Sequence, residues 1–461
     1  MDGQARIVEL EAKLARLEVL VAELGGKVAE RDARIAELEK LLDESRRSGK
    51  RQAAPFSKGD PVEEPTRPGR KRGTLHGRHN HRGVPAGEPD RVLDALVAGC
   101  CPDCGGDVEV ERIEDQWQVD LPEMRPTVTR FRVQVGRCGG CGRRVQGRHP
   151  EQTSEALGAA RSQVGPVAKA WAVWLHYGLG LSFGKCSKLL GRLGVDVTAG
   201  ALCSAAQATS TDLVPVQAGI VKHVNDAAMV VMDETGWRVG GLSAWLWVAT
   251  TTDATAYNVA DGRGFAEACR LVADDYSGVI VRDGWAPYRC YTRAAHQTCV
   301  AHLVRRCDEL IADLPAWARH TPRQVNDILA AALAARDLDD DGRREVIADL
   351  AERIELLAEQ AHPHDECRKL VKHLAAEAAA LFSFLARPGV DATNWRAEQA
   401  IRPAVVNRKV WGGNRTWRGA TTQSRMMSVL RTAAQQGTDA IEYLARLARA
   451  PTPADFPALF I

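Results

Sequence analysis

Two short apolar runs in the middle of the chain, each followed closely by an aspartate, constrain the fold more than any other feature. The first is Met229–Met232, which is followed by Asp233, and the second is Val279–Val281, which leads through an arginine to Asp283. Short apolar runs rich in β-branched residues are typical of buried strands. We therefore expect both carboxylates at the carboxyl-terminal ends of strands in the protein interior.

A third carboxylate, Glu398, lies in a segment with helical spacing and basic flanks, residues 394–402. Two strand-end aspartates and one helical glutamate can converge on a pair of divalent cations, and such a pair catalyses in-line displacement at phosphorus without a covalent intermediate. Asp233, Asp283 and Glu398 are accordingly predicted to be catalytic residues that bind two Mg²⁺ or Mn²⁺ ions. The predicted chemistry is phosphodiester cleavage or transfer.

The residues around the first aspartate predict a sheet. Strands are expected at Met229–Asp233, Trp237–Val239, Ala244–Thr251, Thr255–Ala260 and Val279–Arg282, with a hairpin turn at Gly240-Gly241 and a helix at about residues 265–273. Glu234 follows Asp233 directly. Because successive side chains of a strand point to opposite faces, Glu234 is not expected to share the metal site.

The second and third acids are separated by an Ala- and Leu-rich helical stretch, residues 304–386. This stretch is predicted to be an insertion in a mixed α/β catalytic core, which would then consist of residues 224–303 and 387–435. A tail helix over residues 436–461 is expected to follow the core.

Two Cys-x-x-Cys turns, each followed by glycine, form the most specific local motif in the sequence. They run from Cys101 to Cys104 and from Cys138 to Cys141. Four thiolates at this spacing complete a closed tetrahedral site, for which zinc is the expected metal. Alternation over residues 116–121 and 127–135 predicts hairpin strands between the turns. Residues 95–150 are therefore expected to form a zinc ribbon in which the ion is structural.

The helical pattern of residues 155–215 predicts a helix-turn-helix in its second half. A first helix would carry Cys186, Leu189 and Leu190, and Thr198 would cap the second after a glycine-containing turn. Such a pair can place its second helix in the major groove of DNA. An ordinary helical hairpin remains the alternative, because the second helix has few side chains that read bases.

The first 94 residues fall into two parts. Residues 1–45 carry apolar side chains on alternating steps of three and four, which predicts a coiled coil and self-association as a dimer; a helix packed on the chain's own core is the alternative. Residues 46–94 are rich in Pro, Gly, Arg and His and lack periodicity, so a flexible basic linker is expected. This linker either follows DNA phosphates or is plainly solvated.

Basic residues are concentrated in places that suit a polyanion. Those expected to contact DNA are Arg143, Arg144, Arg305, Arg306, Arg402, Arg408, Lys409 and Arg415. Trp411 and Trp417 lie among the last of them, where indole rings either stack on exposed bases or belong to the core. Cys299 and His302 form a Cys-x-x-His motif, for which structural packing and a place near the scissile phosphate both remain open.

Composition limits the remaining classes. The 461 residues include 45% apolar and 26% charged residues and carry a net charge of +2, which hides the clustering of basic residues. The apolar stretches are too short for a membrane span, and the start of the chain lacks the features of a secretory signal. We therefore expect a cytoplasmic, multidomain protein.

The segments around the three acids resemble the insertion-sequence-66 family of bacterial transposases. The similar segments are Met-Asp-Glu-Thr at 232–235, Arg-Asp-Gly-Trp at 282–285, and residues 394–402 followed by Asn-Arg-Lys at 407–409. The resemblance covers nearly the whole chain. It implies a ribonuclease-H-like core, DNA strand cleavage and transfer, and accessory proteins from the same element.

Together these features predict a multidomain α+β protein with an N-terminal coiled coil, a zinc ribbon, a helix-turn-helix and a ribonuclease-H-like mixed α/β core with a helical insertion. The predicted function is that of a DNA transposase that binds the terminal inverted repeats of an insertion sequence and target DNA. A non-catalytic zinc-containing DNA-binding protein derived from a transposase, and a structure-specific nuclease, are the alternatives.

Overall fold

A computed structural model describes residues 83–154, 157, 163–450, 452–456 and 459. The predicted coiled coil, and the predicted linker up to residue 82, lie outside these residues. Within the described residues, one compact unit ends at Thr127 and a second begins at Val128. Each unit is described by itself.

The centre of the second unit is a five-stranded mixed sheet. Its strands are β3 (Met229–Val239), β4 (Leu242–Thr250), β5 (Thr255–Ala260), β6 (Val279–Arg282) and β7 (Ala295–Thr298), in the order β5-β4-β3-β6-β7. The first three strands are antiparallel, whereas β6 pairs parallel with β3 and β7 pairs parallel with β6. This mixed arrangement is compatible with a ribonuclease-H-like core.

Helices surround the sheet and build the rest of this unit. They are α1 (Pro166–Val173), α2 (Phe183–Arg192), α3 (Ala199–Asp212), α4 (Val214–Asp226), α5 (Phe265–Ala268), α6 (Val300–Asp313), α7 (His320–Ala334), α8 (Asp340–Glu359), α9 (Asp365–Glu377), α10 (Ser383–Ala386), α11 (Trp395–Trp411), α12 (Trp417–Gln435) and α13 (Ala440–Leu447). The short hairpin of β1 (Val135–Arg137) and β2 (Arg144–Gln146) precedes them in the chain.

The alternation of strand side chains gives the sheet two apolar faces. Val231 and Val281 belong to one core, to which helices α6 to α11 also contribute. Val230 and Ile280 belong to the other core, together with α1, α4, α12 and α13. Both faces are covered by helices, which explains why the central runs are continuously apolar.

Helix α12 also protects the free edge of the sheet. The backbone N–H groups of Thr255, Tyr257 and Val259 in the edge strand β5 donate to hydroxyl oxygens of Thr432, Ser428 and Ser424 at 3.1, 2.9 and 2.9 Å. The spacing of hydroxyls four residues apart on a helix is thus close to the spacing of every second residue along a strand. Their hydrogen bonds replace those of a missing neighbouring strand, which an exposed edge would otherwise offer to another chain.

Several predicted bounds need correction. Met229–Asp233 and Trp237–Val239 are one continuous strand, because β4 pairs with every residue from Val231 to Val239. The predicted helix over residues 265–273 is regular only at Phe265–Ala268, and β7 was not predicted. Helix α11 begins at Trp395, so Glu398 lies in its first turn.

The predicted hairpin strands over residues 116–121 and 127–135 are wrong. Residues 108–134 contain neither helix nor strand, and their alternating apolar side chains are exposed, for example Val119 and Val128. Alternation produces a strand only where a partner strand supplies backbone hydrogen bonds and a core covers one face. The ladder that does form, between β1 and β2, borders the second Cys-x-x-Cys turn.

Candidate catalytic centre

Asp233 and Asp283 are brought together by the register of two parallel strands. Val231 of β3 is the partner of Val281 of β6, and each aspartate follows its valine by two residues. If this register is continued, both aspartates lie on the same face of the sheet, with their backbones about one strand spacing, ~4.8 Å, apart. The charge of Asp283 raises the pKa of Asp233, as expected for neighbouring carboxylates. Asp233 lies within β3 instead of at its end, but it lies just beyond the part that pairs with β6.

Helix α11 carries Glu398 to the same face. Ala397, Ala400 and Ile401 of this helix are buried in the core that contains Val231 and Val281. A tight contact of this kind is possible because small residues let a helix approach a sheet closely. Glu398, in the first turn of this helix, is near enough to Asp233 for its charge to raise the pKa of that aspartate.

The electrostatics of Asp233 reflect this convergence. Burial raises its pKa well above the usual value, and the negative charges of Glu234, Asp283 and Glu398 raise it further. Mutual repulsion of this kind is relieved when a divalent cation binds between the carboxylates. The oxygen-only donor set is also the type that Mg²⁺ and Mn²⁺ prefer. The chemistry of these three side chains therefore suits a divalent cation, although among the described residues they form no ready cage for one ion.

The orientation of Asp283 is fixed by its own turn. The backbone N–H of Trp285 donates to Asp283 Oδ1 at 2.8 Å, and the Arg282 guanidinium donates to the carbonyl oxygen of Asp283 at 2.9 Å. Asp283 is thus held by hydrogen bonds both at its side chain and at its backbone.

His302 lies beside the third acid. Its Nε2 atom is 3.5 Å from Glu398 Oε1, and its buried Nδ1 atom makes no hydrogen bond within the described residues. Cys299, which precedes α6, is 1% exposed, and burial together with the charge of Glu398 raises its pKa. The Cys-x-x-His motif thus supplies both a packed residue and a residue next to the acids, which the sequence alone left undecided.

Glu234 is on the opposite face of the sheet, as alternation predicts. Its carboxylate accepts from Arg263 Nε at 2.7 Å and from the Tyr288 hydroxyl. The guanidinium of Arg263 in turn lies between the rings of Trp245 and Trp285, 4.6 and 3.9 Å from their centroids. These contacts form a compact cluster, in which burial raises the pKa of Glu234 and the hydrogen bonds from Tyr288 and Arg263 oppose that rise.

Asp391 is also engaged elsewhere. Its carboxylate pairs with Arg396, whose guanidinium lies 4.8 Å from the ring centroid of Trp395. Asp391 therefore ties the segment before helix α11 to the first turn of that helix.

A comparison with known protein families matches the part of the chain that carries these residues. The model of the Transposase IS66 family matches residues 161–422, which include all three acids. The chain belongs to the IS66 family of transposases. Membership implies that it binds DNA. No curated protein matches the chain.

The basic residues predicted to contact DNA differ in exposure. Arg143, Arg144, Arg305, Arg402, Lys409 and Arg415 are exposed, and Arg306 and Arg408 are half-buried. Burial and the neighbouring charge of Arg238 lower the pKa of Arg408. Trp417 is exposed, whereas Trp411 packs against His176 and Trp237. Of the two tryptophans, Trp417 is thus the one available to a base.

The predicted helix-turn-helix corresponds to α2 and α3. Thr198 accepts a hydrogen bond from the N–H of Ala201 at 3.2 Å and so caps α3, as expected. Cys186, Leu190 and Leu202 pack between the two helices. The exposed positions of α3 include Gly200, Ala201, Ser204 and Ala208, whose side chains are small. This agrees with the scarcity of base-reading side chains noted in the sequence.

The two Cys-x-x-Cys turns belong to different compact units, yet they share one local geometry. The N–H groups of Cys101 and Cys138 donate to the carbonyls of Gly106 and Arg143 at 2.8 and 2.9 Å. Gly105 and Gly142 have φ angles of +71° and +70°, which only glycine adopts readily. Backbone N–H groups within each turn lower the pKa of Cys101 and of Cys138.

Among the residues that the structure describes, no three His, Cys, Asp or Glu side chains lie close enough together to form a ready cage for one ion. Helices long and apolar enough to cross a membrane are likewise absent from the described part of the chain.

Proposed function

We propose that this protein is a DDE-type DNA transposase that binds the terminal inverted repeats of its element and catalyses metal-dependent strand cleavage and transfer. The observation that carries the proposal is the register of β3 and β6, which brings Asp233 and Asp283 to one face, where helix α11 adds Glu398. Family membership supports the same class of reaction.

Asp233, Asp283 and Glu398 would hold the metal ions. A Mg²⁺ pair held there would supply Lewis-acid chemistry for the attacking water or 3′-hydroxyl and for the leaving 3′-oxygen. The chain's own contribution is to fix these carboxylates on rigid elements, two on the sheet and one on a helix that packs against it. Such preorganisation is what an in-line displacement requires of the protein.

His302 would act beside Glu398. With its Nε2 atom 3.5 Å from Glu398 Oε1, the imidazole can hold this carboxylate in place or donate to a phosphate oxygen of bound DNA. Exposed Arg305, three residues further along α6, would contact the DNA backbone.

The proposal is tested by comparing two acids near the start of α11. Glu398→Gln keeps size and hydrogen bonding but removes charge, so nicking of terminal DNA in Mg²⁺ should fall by roughly 10³-fold or more, while end binding persists. Asp391→Asn is the matched control and should retain most of the activity, because Asp391 pairs with Arg396. Near-normal nicking by Glu398→Gln would remove it from the site.

The same assay separates the other candidate functions. A protein that binds the terminal repeats but never nicks them, at any concentration of Mg²⁺ or Mn²⁺, would be a non-catalytic DNA-binding relative. Cutting of branched DNA without joining of ends would indicate a structure-specific nuclease. Metal-dependent nicking followed by strand transfer supports the transposase.

A structural zinc ion bound by Cys101, Cys104, Cys138 and Cys141 is a second proposal. It rests on the sequence spacing and on the geometry within each turn, where backbone N–H groups favour the thiolate. Metal analysis of protein purified without chelator should find about one zinc per chain. The double substitution Cys104→Ser and Cys141→Ser should remove that zinc and weaken end binding, since metal binding and folding are coupled in such modules.

Self-association is proposed on sequence alone, because residues 1–45 lie outside the described part of the chain. Charged residues in place of Leu17 and Leu24 should shift the protein toward monomer in light scattering. An unchanged mass would contradict a coiled-coil dimer. Accessory proteins of the same element remain a proposal from the family resemblance.

A further inference from the structure

Helix α9, in the predicted helical insertion, contacts the segment of Asp283 through two side chains. His373 and Glu377 are four residues apart and therefore lie on the same face of the helix. Glu377 pairs with Arg282, the residue before Asp283, and His373 packs against Gly284, the residue after it. The insertion thus holds a proposed metal ligand from both sides.

The contact on the first side is a buried charged network. Glu377 is 1% exposed and accepts hydrogen bonds from Arg282, Thr298 and Arg289, the last at 2.8 Å. Arg282, 2% exposed, also donates to Thr298 Oγ1 at 3.0 Å and to the carbonyl oxygen of Asp283 at 2.9 Å. The network ends on the backbone of Asp283.

Stability alone does not account for a carboxylate in this place. Glu377 is the last residue of α9, where the negative end of the helix dipole disfavours a second negative charge. Burial raises the pKa of Glu377, but the hydrogen bond from Thr298 and the charge of Arg282 outweigh burial and hold this pKa below its usual value. A well-packed apolar pair of similar volume would stabilise the fold at least equally.

The contact on the second side is a close approach of imidazole to glycine. A Cβ atom at Gly284 would lie 2.5 Å from Nε2 of His373, so any larger residue would have to displace the ring. Gly284 is not among the glycines with positive φ. The position of His373, rather than an unusual backbone conformation, therefore calls for glycine here.

We propose that His373 and Glu377 are positioning residues for metal binding by Asp283. Helix α9 fixes the backbone of residues 282–284. The N–H of Trp285 then orients the Asp283 carboxylate, which would bind the metal. This inference rests on the proposed function. It makes the helical insertion a working part of the catalytic centre, where the sequence predicted a stretch that merely separates two acids.

The first test compares two glutamates of the same helix. Calorimetric titration of the full-length protein with Mn²⁺ measures the binding that Asp233→Asn abolishes. Glu377→Gln should weaken this binding by about 10-fold to 100-fold, as loss of a group behind a metal ligand does. Glu366→Gln is the matched control, because Glu366 pairs with Lys369 on the exposed side of α9, and it should bind Mn²⁺ as the parent does.

The second test uses the contact between His373 and Gly284. Gly284→Ala should weaken Mn²⁺ binding, because the added methyl group collides with the imidazole. The double variant Gly284→Ala with His373→Ala removes the collision and should bind Mn²⁺ more tightly than Gly284→Ala alone. A defect that His373→Ala does not relieve would show that the methyl group interferes elsewhere, and would overturn this part of the inference.

The outcomes separate this inference from the proposed function. If Asp233→Asn binds Mn²⁺ as the parent does, the metal site itself is wrong and both proposals fail. If Asp233→Asn abolishes binding but Glu377→Gln and Gly284→Ala leave it unchanged, only the positioning role fails. Thermal melting of each variant completes the test, because a purely structural role predicts a lower melting temperature with unchanged Mn²⁺ affinity.

Discussion

The two faces of the central sheet treat acidic residues in opposite ways. On one face, Glu234 pairs with Arg263 and accepts a hydrogen bond from Tyr288, and these contacts oppose the rise in its pKa that burial causes. On the other, Asp233 is surrounded by the charges of further acids, which together with burial raise its pKa. A buried carboxylate with a cationic partner stabilises the fold, whereas neighbouring half-buried carboxylates without one repel each other until a cation or a proton neutralises them.

The largest expected effect concerns the face with the three acids. Asp283→Cys should lower nicking in Mg²⁺ by roughly 10³-fold or more, because a thiolate is a poor ligand for a hard cation. Mn²⁺ tolerates sulfur better, so it should restore part of the activity of this variant. Nicking rates in the two metals give the answer, and equal loss in both would mean that Asp283 does not bind the metal.

A substitution on the face that carries Glu234 should change the stability of the fold and leave catalysis unchanged. Glu234→Gln removes the charge that pairs with Arg263, and we expect a loss of about 1–3 kcal/mol in the free energy of unfolding. Nicking at a temperature well below the melting point should stay near the parent rate. Loss of nicking without loss of stability would place Glu234 in the chemistry.

A smaller effect of opposite sign is expected for Asp233→Asn without metal. Because the pKa of Asp233 is raised in the folded protein, the folded state binds a proton more tightly than the unfolded chain, and stability is lost as pH rises past the usual aspartate pKa. Asparagine removes this loss, so the melting temperature at pH 7 should rise by roughly 2–4 °C. At about pH 3 the gain should vanish. A lower melting temperature at pH 7 would contradict the repulsion.

The edge of the sheet gives the smallest expected effect. Ser428→Ala removes the hydroxyl that accepts a hydrogen bond from the buried N–H of Tyr257. The free energy of unfolding, measured with denaturant, should fall by about 1 kcal/mol. Ser187→Ala is a suitable control, since its hydroxyl donates to the carbonyl of Val197 outside the sheet. Mn²⁺ affinity should be unchanged in both variants.

The sequence predicted those strands whose residues are mostly apolar, because a short apolar run indicates a buried strand. Strands β5 and β6 have the predicted bounds, because most residues of each are apolar and buried. β7 was missed because its residues, Ala295–Thr298, are mostly polar. Gln297 is fully buried there, and its amide is satisfied by the carbonyl of Leu381 and the N–H of Phe384, which no local pattern reveals.

The candidate site was predictable to a similar extent. Strand alternation separates Asp233 from Glu234. The apolar runs correctly predict that Asp283 follows a strand, whereas Asp233 lies within β3 instead of at its end. The placement of His302 beside Glu398 depends on how α6 and α11 pack, and the roles of His373 and Glu377 depend on where α9 docks. Contacts between distant segments of this kind leave no periodic trace in the sequence.

The most direct measurement compares two neighbouring residues on one strand. Asp233→Asn and Glu234→Gln each remove one negative charge from β3, one on each face, so the rate of Mg²⁺-dependent nicking of terminal DNA can be compared under the same conditions. We predict that Asp233→Asn loses nearly all nicking while it still binds the ends, and that Glu234→Gln keeps most of its nicking activity. Substantial nicking by Asp233→Asn, or equal loss in both variants, would contradict the assignment of the catalytic centre to the face that carries Asp233, Asp283 and Glu398.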